Sequence, residues 1–151
     1  MTNKELVAES NKIEGILRSP TDEEISAFKN FLKLDEITIA DLQTFVNVYQ
    51  PGAKLRNKPG MNVSVGNHSP PLGGPRIEER LQILLDDCNC MADDYLPDIA
   101  YTTHMAYERL HPFMDGNGRS GRMLWHWMMG HAHIGRRLGF LHVFYYQTLS
   151  C

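Results

Sequence analysis

The chain has 151 residues and a formal net charge of −3, so its length is that of one domain. Hydrophobic residues make up 42% and charged residues 22%, a composition that allows a sizeable core and excludes wholesale disorder. Because basic residues are not in excess, we expect neither a nucleic-acid nor a membrane partner. The sequence has no apolar run near the roughly 18 residues of a membrane span and no signal-peptide core, so we expect a cytoplasmic protein.

Three helices are predicted in the first fifty residues. The first covers residues 4–18. One face of it carries, at spacings of three and four, Leu6, Ser10, Ile13 and Leu17. The second helix begins at a capping box formed by Thr21 and Glu24. The third begins at Thr38 and ends before a Pro-Gly pair. Its predicted buried stripe consists of Leu42, Phe45, Val46 and Tyr49.

Residues 52–75 lack a helical period and are rich in glycine and proline. Within them, Met61 to Val65 alternate in polarity, which predicts a short strand. We interpret the whole segment, about residues 52–75, as a β-hairpin flap inserted into a helical protein. Because the edge of such a flap exposes main-chain groups that can pair with an extended peptide, we expect a target protein to bind partly through it.

Helices are predicted again over residues 77–91, 97–110, 117–129 and 140–149. The predicted buried face of the second of these consists of Ile99, Thr103, Ala106 and Leu110. The sequence therefore predicts a mostly α fold that forms a single domain over residues 1–151, with one short β element.

The segment that carries chemistry covers residues 111–122 and reads His-Pro-Phe-Met-Asp-Gly-Asn-Gly-Arg-Ser-Gly-Arg. Its proline ends the preceding helix, and the Asp-Gly-Asn-Gly run favours a turn, so a glycine-rich loop leads into a helix N-terminus. The free N–H groups and the dipole of such a terminus bind anions. Gly116 and Gly118 allow a phosphate to approach the backbone closely, and Arg119 and Arg122 add positive charge on one face.

Two further side chains complete this segment. Asp115 can ligate Mg²⁺, which needs only one or two carboxylates besides phosphate oxygens. His111, at the start of the loop, is suited to act as a general base on a hydroxyl. The alternative is a plain helix–loop–helix corner with solvated arginines. A base, a carboxylate, an anion-binding loop and two arginines within twelve residues favour the functional interpretation.

The same segment resembles the signature of the Fic family, H-P-F-x-[D/E]-G-N-[G/K]-R-x-x-R, at every defined position. Outside the signature, residues of the preceding helix, the flap and the last helix also look like the family: Ala100, His104, Leu110, Val63, Val65, Pro70, Pro71 and 145–149. The resemblance implies a Fic-like helical bundle with a short β-hairpin flap. It also implies Mg²⁺-dependent transfer of AMP from ATP to a protein hydroxyl.

The resemblance also assigns roles to individual residues. His111 would deprotonate the Ser, Thr or Tyr hydroxyl of the target, and Asp115 would hold Mg²⁺ against the α- and β-phosphates. The residues that would cradle the phosphates are Gly116, Asn117, Gly118 and Arg119. Arg122 would meet the γ-phosphate. These roles agree with the chemistry of the residues, because nucleotidyl transfer depends on positioning and charge stabilisation more than on covalent catalysis.

A second motif lies near the N-terminus, where residues 10–15 resemble the inhibitory-helix motif of Fic proteins, [S/T]-x-x-x-E-[G/N]. At about 100° per residue, Ser10 falls within the apolar stripe and Glu14 at its edge, where a carboxylate could reach an arginine. By resemblance that arginine is Arg122, and the pairing would displace the γ-phosphate. This placement is similar to the class with an N-terminal inhibitory helix, here about residues 1–19. The alternative is an exposed glutamate on a solvated helix.

Other functions stay open at this point. One is a variant Fic activity, either removal of AMP, in which Glu14 would orient a water molecule, or transfer of another phosphate-containing group. Gly118 argues against the kinase-like variant, which has lysine at that place. Another is a non-catalytic nucleotide-binding module, against which the intact His111 argues. The sequence leaves a homo-oligomer open and does not name the target protein.

Overall fold

The computed structural model describes residues 2–90 and 97–131 of the chain. Within these ranges the elements are α1 (Asn3–Ile13), α2 (Asp22–Leu32), α3 (Ile39–Tyr49), α4 (Pro75–Cys90), α5 (Pro97–Leu110) and α6 (Asn117–His131). The predicted mostly α fold is thus confirmed. The predicted helix over residues 140–149 lies outside the described residues. Across the described ranges, no helix is long and apolar enough to cross a membrane.

Each of the first three helices begins with a capping box. Thr21 accepts a hydrogen bond from the N–H of Glu24, whose carboxylate accepts one from the N–H of Thr21, as the sequence predicted. Thr38 caps α3 in the same way, also as predicted, with Asp41 as its partner. Thr2 supplies a third cap, at the start of α1. These caps satisfy N–H groups that would otherwise have no partner, which fixes where the three helices begin.

Helix α1 is shorter than predicted because a glycine ends it. Gly15 has a φ of 77°, and its N–H donates to the carbonyl of Lys12, while the N–H of Ile16 donates to the carbonyl of Asn11. This pair of hydrogen bonds is a Schellman motif, which ends a helix at a left-handed residue. Leu17, predicted on the buried face, lies beyond the helix and is 80% exposed. The motif leaves Glu14 at the C-cap of α1.

Helix α6 lies at the centre of the bundle, where it packs against α1, α2, α3 and α5. Trp127 on α6 is buried, and its Nε1 donates to the carbonyl of Leu34 at 2.8 Å. The predicted stripe of α3 is confirmed, since all four of its residues are buried. The predicted face of α5 is confirmed at Leu110, which is buried, and wrong at Ala106, which is exposed. The buried residues of α5 also include Ala100, His104 and Tyr107.

The segment between α3 and α4 contains no strand among its described residues, and the predicted hairpin flap is not confirmed. Val65 and His68 form a single antiparallel pair, with hydrogen bonds of 3.1 and 2.8 Å around a two-residue turn. A second isolated pair joins Leu55 to Phe113. The predicted strand from Met61 is not formed, and the carbonyl of Met61 accepts a hydrogen bond from a buried arginine.

Candidate active site

The loop between α5 and α6 is held from within. Phe113 is fully buried, and the side chain of Asn117 brackets it: Asn117 Oδ1 accepts from the Phe113 N–H at 2.8 Å, and Asn117 Nδ2 donates to its carbonyl at 2.7 Å. Gly116 has a φ of 76°, and a Cβ there would lie 3.3 Å from the side chain of Val46. Ser120 Oγ donates to the Gly116 carbonyl at 2.8 Å. The loop therefore presents a fixed backbone at the start of α6.

A cleft of about 230 Å³ lies over this loop. The predicted site residues that line it are Glu14, His111, Asp115, Gly116, Asn117, Gly118, Arg119 and Arg122. Ser10, the remaining predicted site residue, does not line the cleft but contacts Arg122. Ile13, Ser64, Val65 and Glu108 complete the lining. The structure thus brings the loop, the N-terminal helix and part of the segment over residues 52–75 to one place.

His111 has the protonation state that a general base needs. Its Nδ1 lies 3.1 Å from the carbonyl of Glu108, and because a carbonyl only accepts, Nδ1 carries the proton and Nε2 keeps its lone pair. Burial lowers the pKa of His111, the hydrogen bond to Glu108 opposes this shift, and the charge of Arg56 lowers the pKa further. His111 is therefore neutral near pH 7.

Asp115 fits a Mg²⁺ ion that is shared with a nucleotide. Its carboxylate is exposed at the cleft, where Oδ1 accepts from the Gly116 N–H at 2.7 Å, which orients the carboxylate and leaves Oδ2 for a ligand. Among residues 2–90 and 97–131, no group of three or more His, Cys, Asp or Glu side chains could hold a metal. This donor set suits Mg²⁺, which takes few protein ligands and completes its shell with phosphate oxygens and water.

Arg119 supplies a buried positive charge whose hydrogen-bonding capacity is mostly unused. One nitrogen, Nη2, donates to Gln50 Oε1 at 3.0 Å, and the guanidinium lies 5.5 Å from the ring centre of Tyr49. Its Nε and Nη1 are buried without a hydrogen-bond partner among the residues described. Burial lowers the pKa of Arg119, but a guanidinium stays charged in proteins. Buried unpaired donors are rare in native structures, so an anion fits here.

Arg122 is engaged by α1. Its Nε donates to Ser10 Oγ at 2.8 Å and its Nη2 to the Ser10 carbonyl at 3.0 Å. The same Nη2 forms an ion pair with Glu14 Oε1 at 2.7 Å, in which the Arg122 side chain is 2% exposed and the Glu14 side chain 39% exposed. A Cβ on Gly118 would overlap Glu14 Oε1. The Glu14 carboxylate therefore occupies space directly above the first turn of α6.

Two residues beside the cleft were not predicted. Glu108 is buried and lines the cleft, and a Cβ on Gly121 would overlap its Oε1. Arg56 is fully buried and donates to the carbonyl of His111. Neither stands in a motif: Glu108 sits in an ordinary helix and Arg56 in a stretch rich in glycine and proline. Arg56 also stands between Lys54 and Lys58, so its charge does not distinguish it in the sequence.

The sequence model of the Fic/DOC family matches residues 28–129. The chain belongs to the Fic/DOC family. Among solved structures, a Fic domain containing signaling protein from Bacteroides thetaiotaomicron VPI-5482 is similar in fold, with a TM-score of 0.68 and 19% identity, over 98% of this chain and 69% of that one. No curated protein matches the chain.

The family assignment makes this chain a Fic-type transferase, a class of enzymes that generally transfer nucleotidyl or phosphoryl groups and commonly use ATP and Mg²⁺. The predicted Fic-like helical bundle is confirmed by the six helices and the similar fold. The matched residues begin within α2, so the family match does not include Ser10 and Glu14 on the N-terminal helix.

Proposed function

We propose that this protein is a protein adenylyltransferase that transfers AMP from ATP to a Ser, Thr or Tyr hydroxyl of a target protein. In this proposal residues 1–151 form one cytoplasmic Fic domain, and the N-terminal helix, about residues 1–19, inhibits it. The observation that carries the proposal is the shared cleft: a histidine whose Nδ1 is held by a carbonyl lines the same space as a helix N-terminus, an exposed aspartate and two arginines.

The transfer step needs a base and a fixed phosphate. Nε2 of His111 takes the proton of the target hydroxyl as its oxygen bonds to the α-phosphorus. The bond from the α-phosphorus to the oxygen bridging to the β-phosphate breaks, and pyrophosphate leaves. A positioned base of this kind contributes about a hundred- to ten-thousand-fold to the rate. The lowered pKa of His111 favours the competent neutral form at pH 7.

The phosphates are placed at the start of α6. The N–H groups of Asn117 and Gly118 belong to the first helical turn, where they lack intrahelical acceptors, whereas the N–H of Gly116 is held by Asp115 Oδ1 and Gly116 contributes its lack of a side chain. Arg119 lines the same cleft and adds a positive charge there. Asp115 would hold Mg²⁺, which when bound neutralises charge on the phosphates and the departing pyrophosphate. The Asn117 side chain is already used on Phe113, so its contribution is the main-chain N–H.

Inhibition follows from competition for Arg122. The γ-phosphate and the Glu14 carboxylate are both anions, and Glu14 already holds Nη2 of Arg122 at 2.7 Å. ATP can therefore bind with its γ-phosphate on Arg122 only when Glu14 leaves. A ligand shifts an equilibrium between two states by the difference in its affinity for them. The free energy of the Glu14–Arg122 pair is therefore subtracted from the free energy of productive ATP binding.

The target is proposed to bind along the segment over residues 52–75. Ser64 and Val65 line the cleft, and most of the residues from 62 to 69 are exposed. An extended target segment on this side would place a hydroxyl over His111. Main-chain pairing with Asn62 to Ser64 would tolerate many target sequences, because it depends on backbone groups.

The test is transfer of label from ATP to protein. The Glu14→Gly variant is incubated with a lysate and ATP labelled at the α- or the γ-phosphate, and the added mass is measured by mass spectrometry. Label from the α-position alone and the mass of an AMP group support the proposal. Label from the γ-position alone identifies phosphorylation instead, and no transfer of either label contradicts it.

The residue assignment is tested in the same Glu14→Gly background. His111→Ala should abolish transfer while ATP still binds, because His111 contacts the hydroxyl and not the phosphate cradle. Met114→Ala is the matched control: Met114 is an exposed residue of the same loop that does not line the cleft, and its variant should retain transfer. A His111→Ala rate within a few fold of the parent would remove His111 from the role of base.

A further inference from the structure

Arg56 is fully buried, and among the described residues its guanidinium hydrogen-bonds only to main-chain carbonyls. Nε donates to the carbonyl of His111 at 2.6 Å, Nη2 to Leu110 at 2.8 Å, and Nη1 to Met61 at 3.1 Å and Pro71 at 2.9 Å. A guanidinium has five N–H donors, so four of them are used. Arg56 makes no ion pair with any residue in the described ranges. Burying a charge without a carboxylate partner costs free energy. We therefore expect the hydrogen bonds of the Arg56 guanidinium to have a structural role.

The four carbonyls belong to two separate parts of the site. Two come from the end of α5 and the start of the His111 loop, and two come from the segment between α3 and α4. The main chain of Arg56 makes the same connection, because its N–H donates to the carbonyl of Pro112 at 2.8 Å and its carbonyl accepts from Gly74 at 2.9 Å. One residue thus ties the loop to the segment that contributes Ser64 and Val65 to the cleft.

His111 needs such support because its backbone is strained. Its φ is 51°, in the left-handed region that residues other than glycine rarely adopt. Residues held in this region persist only where the surrounding structure determines them, and they concentrate at functional sites. Arg56 Nε binds the carbonyl of His111 itself, and Arg56 N binds that of the next residue. Both peptide groups that follow the strained residue are therefore held by Arg56.

We propose that Arg56 is a positioning residue: its fork of donors holds His111 in the left-handed conformation and fixes residues 61–71 to the same carbonyl cluster. The consequence for transfer, a set distance between the base and the target hydroxyl, rests on the proposed function, whereas the conformational role does not. Lysine could not replace Arg56, because its three donors sit on one nitrogen and lack the planar fork that spans two segments.

The conformational role is tested by NMR on the full chain. In the wild-type protein the Arg56 Nε–H should exchange slowly with water and show a through-hydrogen-bond coupling to the His111 carbonyl carbon. In Arg56→Lys and Arg56→Met the His111 ring should lose its single Nδ1–H tautomer. In Arg56→Lys, which keeps the positive charge that lowers the pKa of His111, the titration midpoint of His111 should rise as burial is lost. His68 and Glu14, the other titratable groups that act on this pKa, are the same in both proteins. Leu85→Ala, a buried residue of α4, is the control for general destabilisation and should keep the tautomer.

The role in transfer is tested in the Glu14→Gly background. Arg56→Lys should lower kcat at least about tenfold, the scale at which misplacement of catalytic groups acts, and leave the affinity for ATP within about twofold. A folded Arg56→Lys protein with an unchanged His111 tautomer and kcat would overturn the proposal. If neither variant folds, rapid exchange of the wild-type Arg56 Nε–H would overturn it. If the Arg56 variants lose the His111 tautomer but the parent protein has no transferase activity, the result supports the conformational role of Arg56 and contradicts only the proposed function.

Discussion

Replacing Glu14 with glycine should raise transfer, and the structure sets the size of the effect. The variant removes the 2.7 Å ion pair with Arg122 and keeps both hydrogen bonds from Arg122 to Ser10. A hydrogen bond between charged groups contributes about 1.5–3 kcal/mol. Because the Glu14 side chain is 39% exposed, solvent weakens the ion pair, and we take its contribution to the inhibited state as about 2 kcal/mol. At about 1.4 kcal/mol per factor of ten, the expected increase is about thirtyfold.

The assay is incorporation of α-labelled AMP into protein, self-modification included, with ATP affinity measured in parallel by calorimetry. Lys12→Gly is the matched control. It introduces glycine into the last turn of α1, two residues from Glu14, but Lys12 is exposed and does not line the cleft. We expect Lys12→Gly to transfer at the wild-type rate and Glu14→Gly to bind ATP more tightly.

The double-mutant cycle with Arg122→Ala tests the mechanism of this increase. If Glu14 acts by holding Arg122, Glu14→Gly should have almost no effect once Arg122 is absent, since the two residues are coupled only through that pair. Equal rates for wild type and Glu14→Gly, with both proteins folded by circular dichroism, would refute inhibition by α1. A thirtyfold increase that persists in the Arg122→Ala background would instead mean that Glu14 blocks the cleft sterically.

Three further predictions concern single groups. Asp115→Ala should raise the Mg²⁺ concentration for half-maximal transfer by more than about tenfold, and an unchanged midpoint in a metal titration would place the ligand elsewhere. Gly118→Ala should speed amide hydrogen exchange in α1, because its Cβ overlaps Glu14 Oε1; the same substitution in Glu14→Gly should not. Because burial lowers the pKa of His111 below its ordinary value of about 6.5, transfer should be constant from about pH 7 to 8 and fall only in more acidic buffer; a rate still rising above pH 7 would contradict this.

Helix starts could be predicted from sequence, but the end of α1 was missed. Thr21 with Glu24 is a local signal, because the cap and its partner are three residues apart. At the other end, Leu17 continues the apolar period and predicts a longer helix. Gly15 overrides this period, since its positive φ and two hydrogen bonds satisfy the last carbonyls. The position at which α1 ends is thus set by the backbone conformation of Gly15 and not by the spacing of apolar residues.

The candidate site divides in the same way. The residues from His111 to Arg122 are contiguous and form one loop and the first turns of one helix. The sequence alone therefore predicts that their side chains lie close together. Arg56 lies 55 residues from His111 in sequence, and its role depends on carbonyls that only the tertiary structure brings together. The flap prediction is not confirmed for a related reason: alternation from Met61 predicted a strand, but a strand needs a partner strand, and the described residues from 61 to 65 have none.

On the proposed function, catalysis and inhibition depend on the same cations, and this limits how the enzyme can be activated. A change in the cleft that improves binding of the γ-phosphate to Arg122 also improves binding of the Glu14 carboxylate. The γ-phosphate and the Glu14 carboxylate differ in one respect: Glu14 reaches the cleft only when α1 is docked. Asn11 holds it there through Glu24 on α2, by a 3.3 Å hydrogen bond from Nδ2 to Oε2. A signal that relieves inhibition should therefore act on the contacts that dock α1, which include this bond to α2 and the two bonds from Arg122 to Ser10.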